Sequence, residues 1–355
     1  MENKRVVWLD ALKGFAIFLV VLGHCIERVK TGNSTNPILE QTDIFIYGFH
    51  MMLFFMISGY IYGLKENKRN TPEPFWHFTK VKLIDYGIPY LIFAVLVWGG
   101  KFIFSAFVKF QVSIKDLLLV FVNPVAFTWF LYILLWVSVI VKALDLLVKD
   151  RKKVWFITLI MVVVGMIFKT DIKLVDRVLL YTIAYYTGTL ISSDFENKVC
   201  KNKLVLAVLA VLFIGFSIGR GFVGKQDTTL MAVTGVTGSV LFMVAFSKIG
   251  ELKNIVYKTL IFFGEITIFI YILHPVFLSA MKVALAKVGI TNIPLRLVLL
   301  LIVGFVCPII YYLVSKKIWI LDAVFRPRRY MKKRYIVFRE RKNLWLTVSE
   351  LKVWI

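Results

Sequence analysis

The sequence contains few acidic residues and few charged residues overall. Aspartate and glutamate together number 21 against 44 lysines and arginines, and only 18% of the 355 residues are charged. Because 59% of the residues are hydrophobic, a water-soluble core could not bury the apolar surface, which excludes an ordinary soluble domain. The chain is therefore predicted to use lipid as its solvent.

Cysteine is also scarce. Cys25, Cys200 and Cys307 are the only three, and they are far apart. This spacing predicts neither a disulfide framework nor a zinc site, and we expect no metal. The first apolar stretch carries Asp10 and Lys13 and lacks a small-residue cleavage site behind it. It is therefore predicted to be a retained helix and not a signal peptide.

Apolar runs close to the length that crosses a ~30 Å hydrocarbon layer recur along the whole chain. We predict an all-α polytopic membrane protein with about ten transmembrane helices, with one membrane domain over 1–320 and a basic amphipathic cytoplasmic tail over 321–355. The predicted spans are 6–29, 44–64, 83–107, 124–148, 153–168, 174–193, 203–219, 228–247, 259–286 and 293–315.

The basic residues are concentrated in the loops between these spans. One alternate set of loops, together with the termini, holds roughly 29 lysines and arginines and the opposite set about 11, which predicts both termini in the cytoplasm. Topology thus explains the formal net charge of +23, and no nucleic-acid partner is expected. The basic and aromatic tail is predicted to lie on the anionic inner leaflet.

The first predicted span places Asp10, Lys13 and His24 in apolar sequence, where ionisable groups are costly and are functional candidates. Lys13 and His24 are eleven positions apart, so they face within about 20° of each other and differ in depth by roughly 16 Å. Asp10 is close enough to pair with Lys13. Two structural alternatives stay open: Lys13 can snorkel to the interface, and His24 can be a satisfied polar group near the outer edge.

Further candidates lie in the second and fourth spans. Asp43 and His50 are seven positions apart and share one helix face, so a carboxylate and an imidazole can border one cavity. Ser58 and Gly59 interrupt an aromatic run, which favours close helix packing over an opening for a ligand. Trp129 is either part of an interfacial aromatic belt or a substrate contact.

The sixth and ninth spans add three candidates. Arg177 follows Asp176 at the start of a span and can form an ion pair with it or contact a polar ligand. Glu265 and His274 are nine positions apart, on opposite faces of an ideal helix, so no direct pair between them is predicted. Pro275 is expected to kink or break the helix just after His274.

Four segments in order along the chain resemble the blocks of one family. LDALKG at 9–14, followed by His24, matches a signature of Arg or Lys, ten residues, then His. FHMMLFFMISGY at 49–60 is similar to the pattern F-H-M-P-L-F-F-x-I-S-G, and WFLYILL at 129–135 and YILHPV at 271–276 resemble two further blocks. The family is the acyltransferase 3 family of membrane proteins. The signature with lysine as its basic residue, followed by VVLGH, is most similar to the fucose 4-O-acetylase-like branch of this family.

This resemblance implies about ten helices in a bacterial plasma membrane and an acyl-CoA donor, with acetyl-CoA expected, that approaches from the cytoplasm. It implies an acceptor hydroxyl on a lipid-linked or extracytoplasmic saccharide. It marks His24 as catalytic and Lys13 as required. Met52 stands where the family usually has proline, which leaves the geometry of the second helix open.

The resulting hypothesis is a membrane-bound O-acyltransferase. His24 serves as general base or transient acyl carrier, Lys13 holds donor phosphates or steadies charge at the thioester, and Asp10 orients Lys13. The candidate substrate-binding residues are Asp43, His50, Ser58, Trp129, Arg177, Glu265 and His274. Two rivals stay open, a secondary transporter or exporter of a polar solute and a membrane partner without catalysis. The sequence does not predict an oligomeric state.

Overall fold

The computed structural model describes residues 6–30, 36–103, 112–124, 126–170, 172–193, 195, 199–224, 228–249 and 254–331. Residues 332–355 of the predicted tail and 104–107 of the predicted third span lie outside the described residues.

The described residues form helices and no β-strand, which confirms the all-α prediction. In chain order the α-helices are α1 (Val7–Val29), α2 (Pro37–Asn67), α3 (Phe75–Lys82), α4 (Ile88–Ile103), α5 (Ile114–Leu118), α6 (Trp129–Val148), α7 (Arg151–Ile167), α8 (Lys173–Ile191), α9 (Lys203–Val223), α10 (Thr228–Ile249), α11 (Ile255–Glu265), α12 (Thr267–Lys287), α13 (Ile293–Ser315) and α14 (Trp319–Ala323). A π-helical turn, Leu83–Gly87, joins α3 to α4.

Eight helical segments of the described chain are long and apolar enough to cross a membrane. They are α1, α2, the continuous α3–α4 segment, α6, α9, α10, α12 and α13. The predicted fifth and sixth spans correspond to α7 and α8, which are not among the eight: α7 has only 17 residues, and α8 begins with the charged residues Lys173, Asp176 and Arg177. The polytopic membrane fold is confirmed, while ten crossings and cytoplasmic termini stay predictions.

Asparagine and aspartate side chains fix where several helices begin. Asn36, Asp150, Asn202, Asn254 and Asn292 each accept a hydrogen bond from a backbone N–H in the first turn that follows. Such caps satisfy donors that would otherwise lack a partner at a helix start. The cap at Asn36 explains why α2 begins seven residues before the apolar run that predicted it.

The predicted ninth span is divided, but not at its proline. The break lies at Ile266, between α11 and α12, where the Thr267 hydroxyl donates to the carbonyls of Phe263 and Gly264. A hydroxyl bonded to the preceding turn competes with the helical ladder. Pro275 lies inside α12, which continues to Lys287, so the helix does not break after His274, and a kink there stays a prediction. Membrane helices tolerate proline where other groups satisfy the freed backbone.

The backbones of helices α1 and α11 are in direct contact. A Cβ added to Gly14 would lie 1.8 Å from the carbonyl oxygen of Leu260, and one added to Gly264 would lie 1.9 Å from that of Asp10. Only glycine fits at both positions. This glycine seam fixes α1 against the segment that leads into α12.

A second glycine seam joins α2 and α8. A Cβ on Gly59 would lie 1.8 Å from the carbonyl oxygen of Tyr185, and one on Gly188 would lie 2.1 Å from that of Met56. The small residue at position 59 therefore serves close helix packing, in agreement with the favoured interpretation of the Ser58 and Gly59 pair.

Replacing Gly59 with alanine is expected to destabilise the protein by about 1–3 kcal/mol, because the added methyl group forces α2 away from α8. The matched control is Gly215→Ala in α9, where a Cβ meets nothing within 4 Å. That change should leave stability equal or raise it slightly, since glycine is a poorer helix former than alanine. The measurement is the thermal midpoint of detergent-solubilised protein by size-exclusion chromatography. Equal midpoints for the two variants would contradict the seam.

Candidate active site

A cavity of about 530 Å³ lies among α1, α2, α6, α8, α10 and α12. We call it the histidine cavity. Its polar wall comes from α1 and α2, which contribute His24, Glu27, Arg28, Tyr47 and His50. The volume is within the range that accommodates a small-molecule ligand.

His24 is oriented by its neighbours on α1 and α2. Its Nδ1 atom lies 3.1 Å from a carboxylate oxygen of Glu27 and 3.3 Å from the hydroxyl of Tyr47. Because an ionised carboxylate can only accept, this geometry favours a proton on Nδ1 and leaves the lone pair on Nε2. The His24 side chain is 28% exposed, so it borders open space and is not sealed in the core.

Two further histidines show the same preference. Nδ1 of His50 lies 2.6 Å from the carbonyl oxygen of Ile46, and Nδ1 of His274 lies 2.7 Å from that of Ile270. A carbonyl only accepts, so each Nδ1 carries the proton. The His274 ring is fully buried, 5.3 Å from the His24 ring between centroids. Its Nε2 atom has no hydrogen-bond partner within the described part of the chain.

Arg28 ties this end of α1 to α12. Its guanidinium donates to the carbonyl of His24 at 3.1 Å, to the carbonyl of Pro275 at 3.2 Å and to the hydroxyl of Ser279 at 3.3 Å. The charge therefore has polar contacts on both helices. Arg28 also holds the His24 turn beside the helix that carries His274.

Another part of the cavity wall is aromatic and contains Phe127, Trp129, Tyr181 and Tyr271. The Arg177 guanidinium lies over the Trp129 ring at 4.3 Å from its centroid. The Tyr271 hydroxyl accepts from the backbone N–H of Phe130 at 3.2 Å and donates to the carbonyl of Phe127. Two of the four sequence blocks, WFLYILL and YILHPV, are thus hydrogen-bonded to each other at the cavity.

Four of the predicted site residues, His24, His50, Trp129 and Arg177, line the histidine cavity, and His274 lies directly behind His24. Sequence reasoning missed Glu27, Arg28, Tyr47 and Tyr271. The first two follow His24 by three and four positions and Tyr47 precedes His50 by three, so one-turn spacing was the signal that could have identified them.

Lys13 and Asp10 lie elsewhere. The predicted pair forms, with Nζ of Lys13 2.5 Å from the Asp10 carboxylate. The Lys13 side chain is 27% exposed, and neither residue is part of the wall of the histidine cavity. The predicted difference in depth along α1 therefore separates them from His24.

The other predicted residues have local contacts. Asp43 forms an ion pair with Lys30 at 2.8 Å, and it does not line the cavity that His50 borders. The Ser58 hydroxyl donates to the carbonyl of Phe54, one turn earlier. Glu265 is exposed at the end of α11, and Asp176 accepts from Thr170 and forms no ion pair with Arg177.

The described residues thus define a helical polytopic membrane protein in which a histidine contacts a carboxylate at a cavity between helices. Residues 6–313 match the acyltransferase domain that defines the acyltransferase 3 family. The chain belongs to this family, as the four sequence blocks predicted.

Two curated relatives are nodulation proteins. The chain is 46% identical over 59 residues to nodulation protein NolL of Sinorhizobium fredii (strain NBRC 101917 / NGR234), which covers 17% of this chain and 16% of that protein. It is 26% identical over 193 residues to nodulation protein NolL of Mesorhizobium japonicum (strain LMG 29417 / CECT 9101 / MAFF 303099), covering 52% and 47%. The chain thus spans less than half the length of either relative. No solved structure matches it significantly.

The ion pair of Asp43 and Lys30 is predicted to be structural. Asp43→Asn and Lys30→Met should each lower the thermal midpoint of the solubilised protein, and the double variant should lose less than the sum, with a coupling of about 0.5–3 kcal/mol. Glu40→Gln, an exposed change one turn away on α2, is the matched control. Additive losses would contradict the structural pairing. An unchanged midpoint with impaired activity in Asp43→Asn would instead assign Asp43 to substrate binding.

Proposed function

We propose that this protein is a membrane-bound O-acyltransferase that moves an acetyl or similar short acyl group from acyl-CoA to a hydroxyl of a cell-surface or lipid-linked saccharide. Membership of the acyltransferase 3 family supports acyl transfer. The resemblance of the LDALKG block and the following VVLGH to the fucose 4-O-acetylase-like branch supports an acetyl donor and a saccharide acceptor. The proposed location is the bacterial plasma membrane.

The observation that carries the proposal is the contact between His24 and Glu27 at the wall of the histidine cavity. With Nδ1 bound to a carboxylate, Nε2 is free to accept the proton of the acceptor hydroxyl. The carboxylate then stabilises the imidazolium that forms, which is how an acid that orients a histidine assists a general base. Proton transfer of this kind contributes about 10²–10⁴-fold to a rate.

In the proposed reaction, the acyl group passes directly from the thioester to the acceptor hydroxyl. Nε2 of His24 takes the hydroxyl proton while the acceptor oxygen forms a bond to the thioester carbonyl carbon. The carbon–sulfur bond breaks, and the proton passes from the imidazolium to the departing thiolate, giving an ester and CoA. In the alternative order, Nε2 attacks the thioester carbon and the CoA thiolate leaves. The acceptor oxygen then displaces Nε2 from the acyl carbon and its proton passes to the thiolate, which gives the same ester and CoA.

Lys13 and Asp10 have a separate place in the proposal. Their ion pair lies about 16 Å along α1 from His24 at 1.5 Å per residue. Lys13 is proposed to hold donor phosphates or steady charge on the thioester side, with Asp10 orienting its ammonium group. His50 and His274 are proposed to contact the acceptor or to tune His24.

The first test of the mechanism is His24→Ala in membranes that contain the full chain, assayed with labelled acetyl-CoA for label in extracted saccharide. Activity should fall by at least about 10²-fold, because the proton acceptor is lost. The matched control is His77→Ala, since His77 is an exposed histidine of α3 outside the histidine cavity. Full activity in His24→Ala would refute the catalytic role, and solute flux without acyl-CoA consumption would favour a transporter.

A second variant, Glu27→Gln, tests the orientation of His24. Glutamine can still accept from Nδ1 but lacks the charge that stabilises imidazolium, so kcat should fall about 10–100-fold with little change in the KM for acetyl-CoA. Glu40→Gln should leave both constants unchanged. A rise in KM at constant kcat would show that Glu27 acts in binding and does not assist His24.

A further inference from the structure

Arg177 carries hydrogen-bonding capacity that the described protein does not use. A guanidinium offers five N–H donors in a planar fork. That of Arg177 is half-buried and lies on the Trp129 ring at 4.3 Å, and it makes no hydrogen bond or ion pair with any described residue. Stacking uses the face of the guanidinium, while its N–H groups point outward in the plane.

Among the described residues, the carboxylates near Arg177 have other partners. Asp176, next in sequence, accepts from the backbone N–H of Thr170 at 3.0 Å and from its hydroxyl at 2.9 Å. Glu27, a carboxylate in the wall of the histidine cavity, contacts His24. The other arginine of that wall, Arg28, has three polar contacts with α1 and α12. Arg177 is therefore the cavity arginine whose charge is left for a ligand.

A second cavity also has Arg177 in its lining. This side cavity has a volume of about 320 Å³ and includes Lys169, Asp176 and Arg177 in its lining. It shares Arg177, Tyr181 and Met231 with the histidine cavity. A ligand group bound by Arg177 from the side cavity would thus lie one side chain away from the cavity of His24, with the cation of Lys169 also in reach of the space.

We propose that Arg177 binds a carboxylate or phosphate group carried by the saccharide acceptor, with the oxyanion in the side cavity and the reacting hydroxyl in the histidine cavity. The acceptor class is then an anionic saccharide. The guanidinium fork matches both oxyanions with two parallel hydrogen bonds. This inference rests on the proposed function, because it assigns the acceptor of that same reaction.

The test uses the full chain in nanodiscs of phosphatidylcholine, with binding followed by saturation-transfer NMR. The probes are trigalacturonate for a sugar carboxylate, geranyl phosphate for a lipid-carrier phosphate, 3′-phosphoadenosine diphosphate for the donor and neutral maltotriose. One of the first two should bind more tightly than maltotriose. Arg177→Gln should weaken that binding about 10- to 100-fold, as expected for charge-assisted hydrogen bonds. Arg177→Lys should retain part of it, since lysine keeps the charge but not the fork.

Lys173→Gln is the matched control, because Lys173 is an exposed cation of α8 outside both cavities. Thermal midpoints of all variants show that each is folded. The inference would be overturned if Arg177→Gln left the binding of both anionic acceptor probes unchanged. It would also be overturned if neither of these probes bound more tightly than maltotriose. Arg177-dependent binding of the adenosine phosphate alone would overturn it too, by assigning Arg177 to the donor.

Acyl transfer in the same preparations separates the two proposals. If His24→Ala loses acyl transfer while anion binding does not depend on Arg177, this inference is wrong and the proposed function stands. If His24→Ala retains acyl transfer while anion binding depends on Arg177, the catalytic assignment of His24 is wrong and the anion site stands.

Discussion

Backbone contact at glycine, between α1 and α11 and between α2 and α8, sets the position of the cavity walls. Lipid offers no hydrophobic force between helices, so their association depends on van der Waals contact, which is greatest where the residue between two backbones is smallest. One seam holds α1, which carries His24, against the segment leading into α12, which carries Tyr271 and His274. The other holds α2, with His50, against α8, with Arg177. These four helices supply most of the cavity wall, so the cavity keeps its shape only if both seams stay closed.

The second constraint is charge in a medium without water. Three ion pairs in this chain are Asp10 with Lys13, Lys30 with Asp43, and Lys142 with Glu66, with separations of 2.5, 2.8 and 2.7 Å. Lys142 is fully buried, so breaking its pair would leave a charge with no solvent, which costs far more than the pair contributes. Arg177 departs from this pattern, because its guanidinium lies on an aromatic face and forms no ion pair with any described residue.

Hydropathy and helical period predicted the fold class, most of the spans and four side chains of the cavity, because burial in lipid and one-face spacing are both local properties of a sequence. They could not predict contacts between distant segments. Arg28 donates to Pro275, 247 positions away. Asp43 pairs with Lys30, which directly follows α1, and does not line the cavity with His50. The break at Ile266 was missed because the prediction relied on Pro275, which lies inside the continuous α12.

His24 and His274 are neighbours, but they differ in how well each can accept a proton. Both present Nε2, since Nδ1 of each is bound to an acceptor. For His274 that acceptor is a carbonyl of its own helix in a fully buried setting, where an imidazolium would be a charge without a counter-ion. For His24 it is the carboxylate of Glu27, so the cation formed in the proposed mechanism is neutralised as it appears. The chemistry is therefore better assigned to His24, and His274 is better suited to accept a hydrogen bond than a proton.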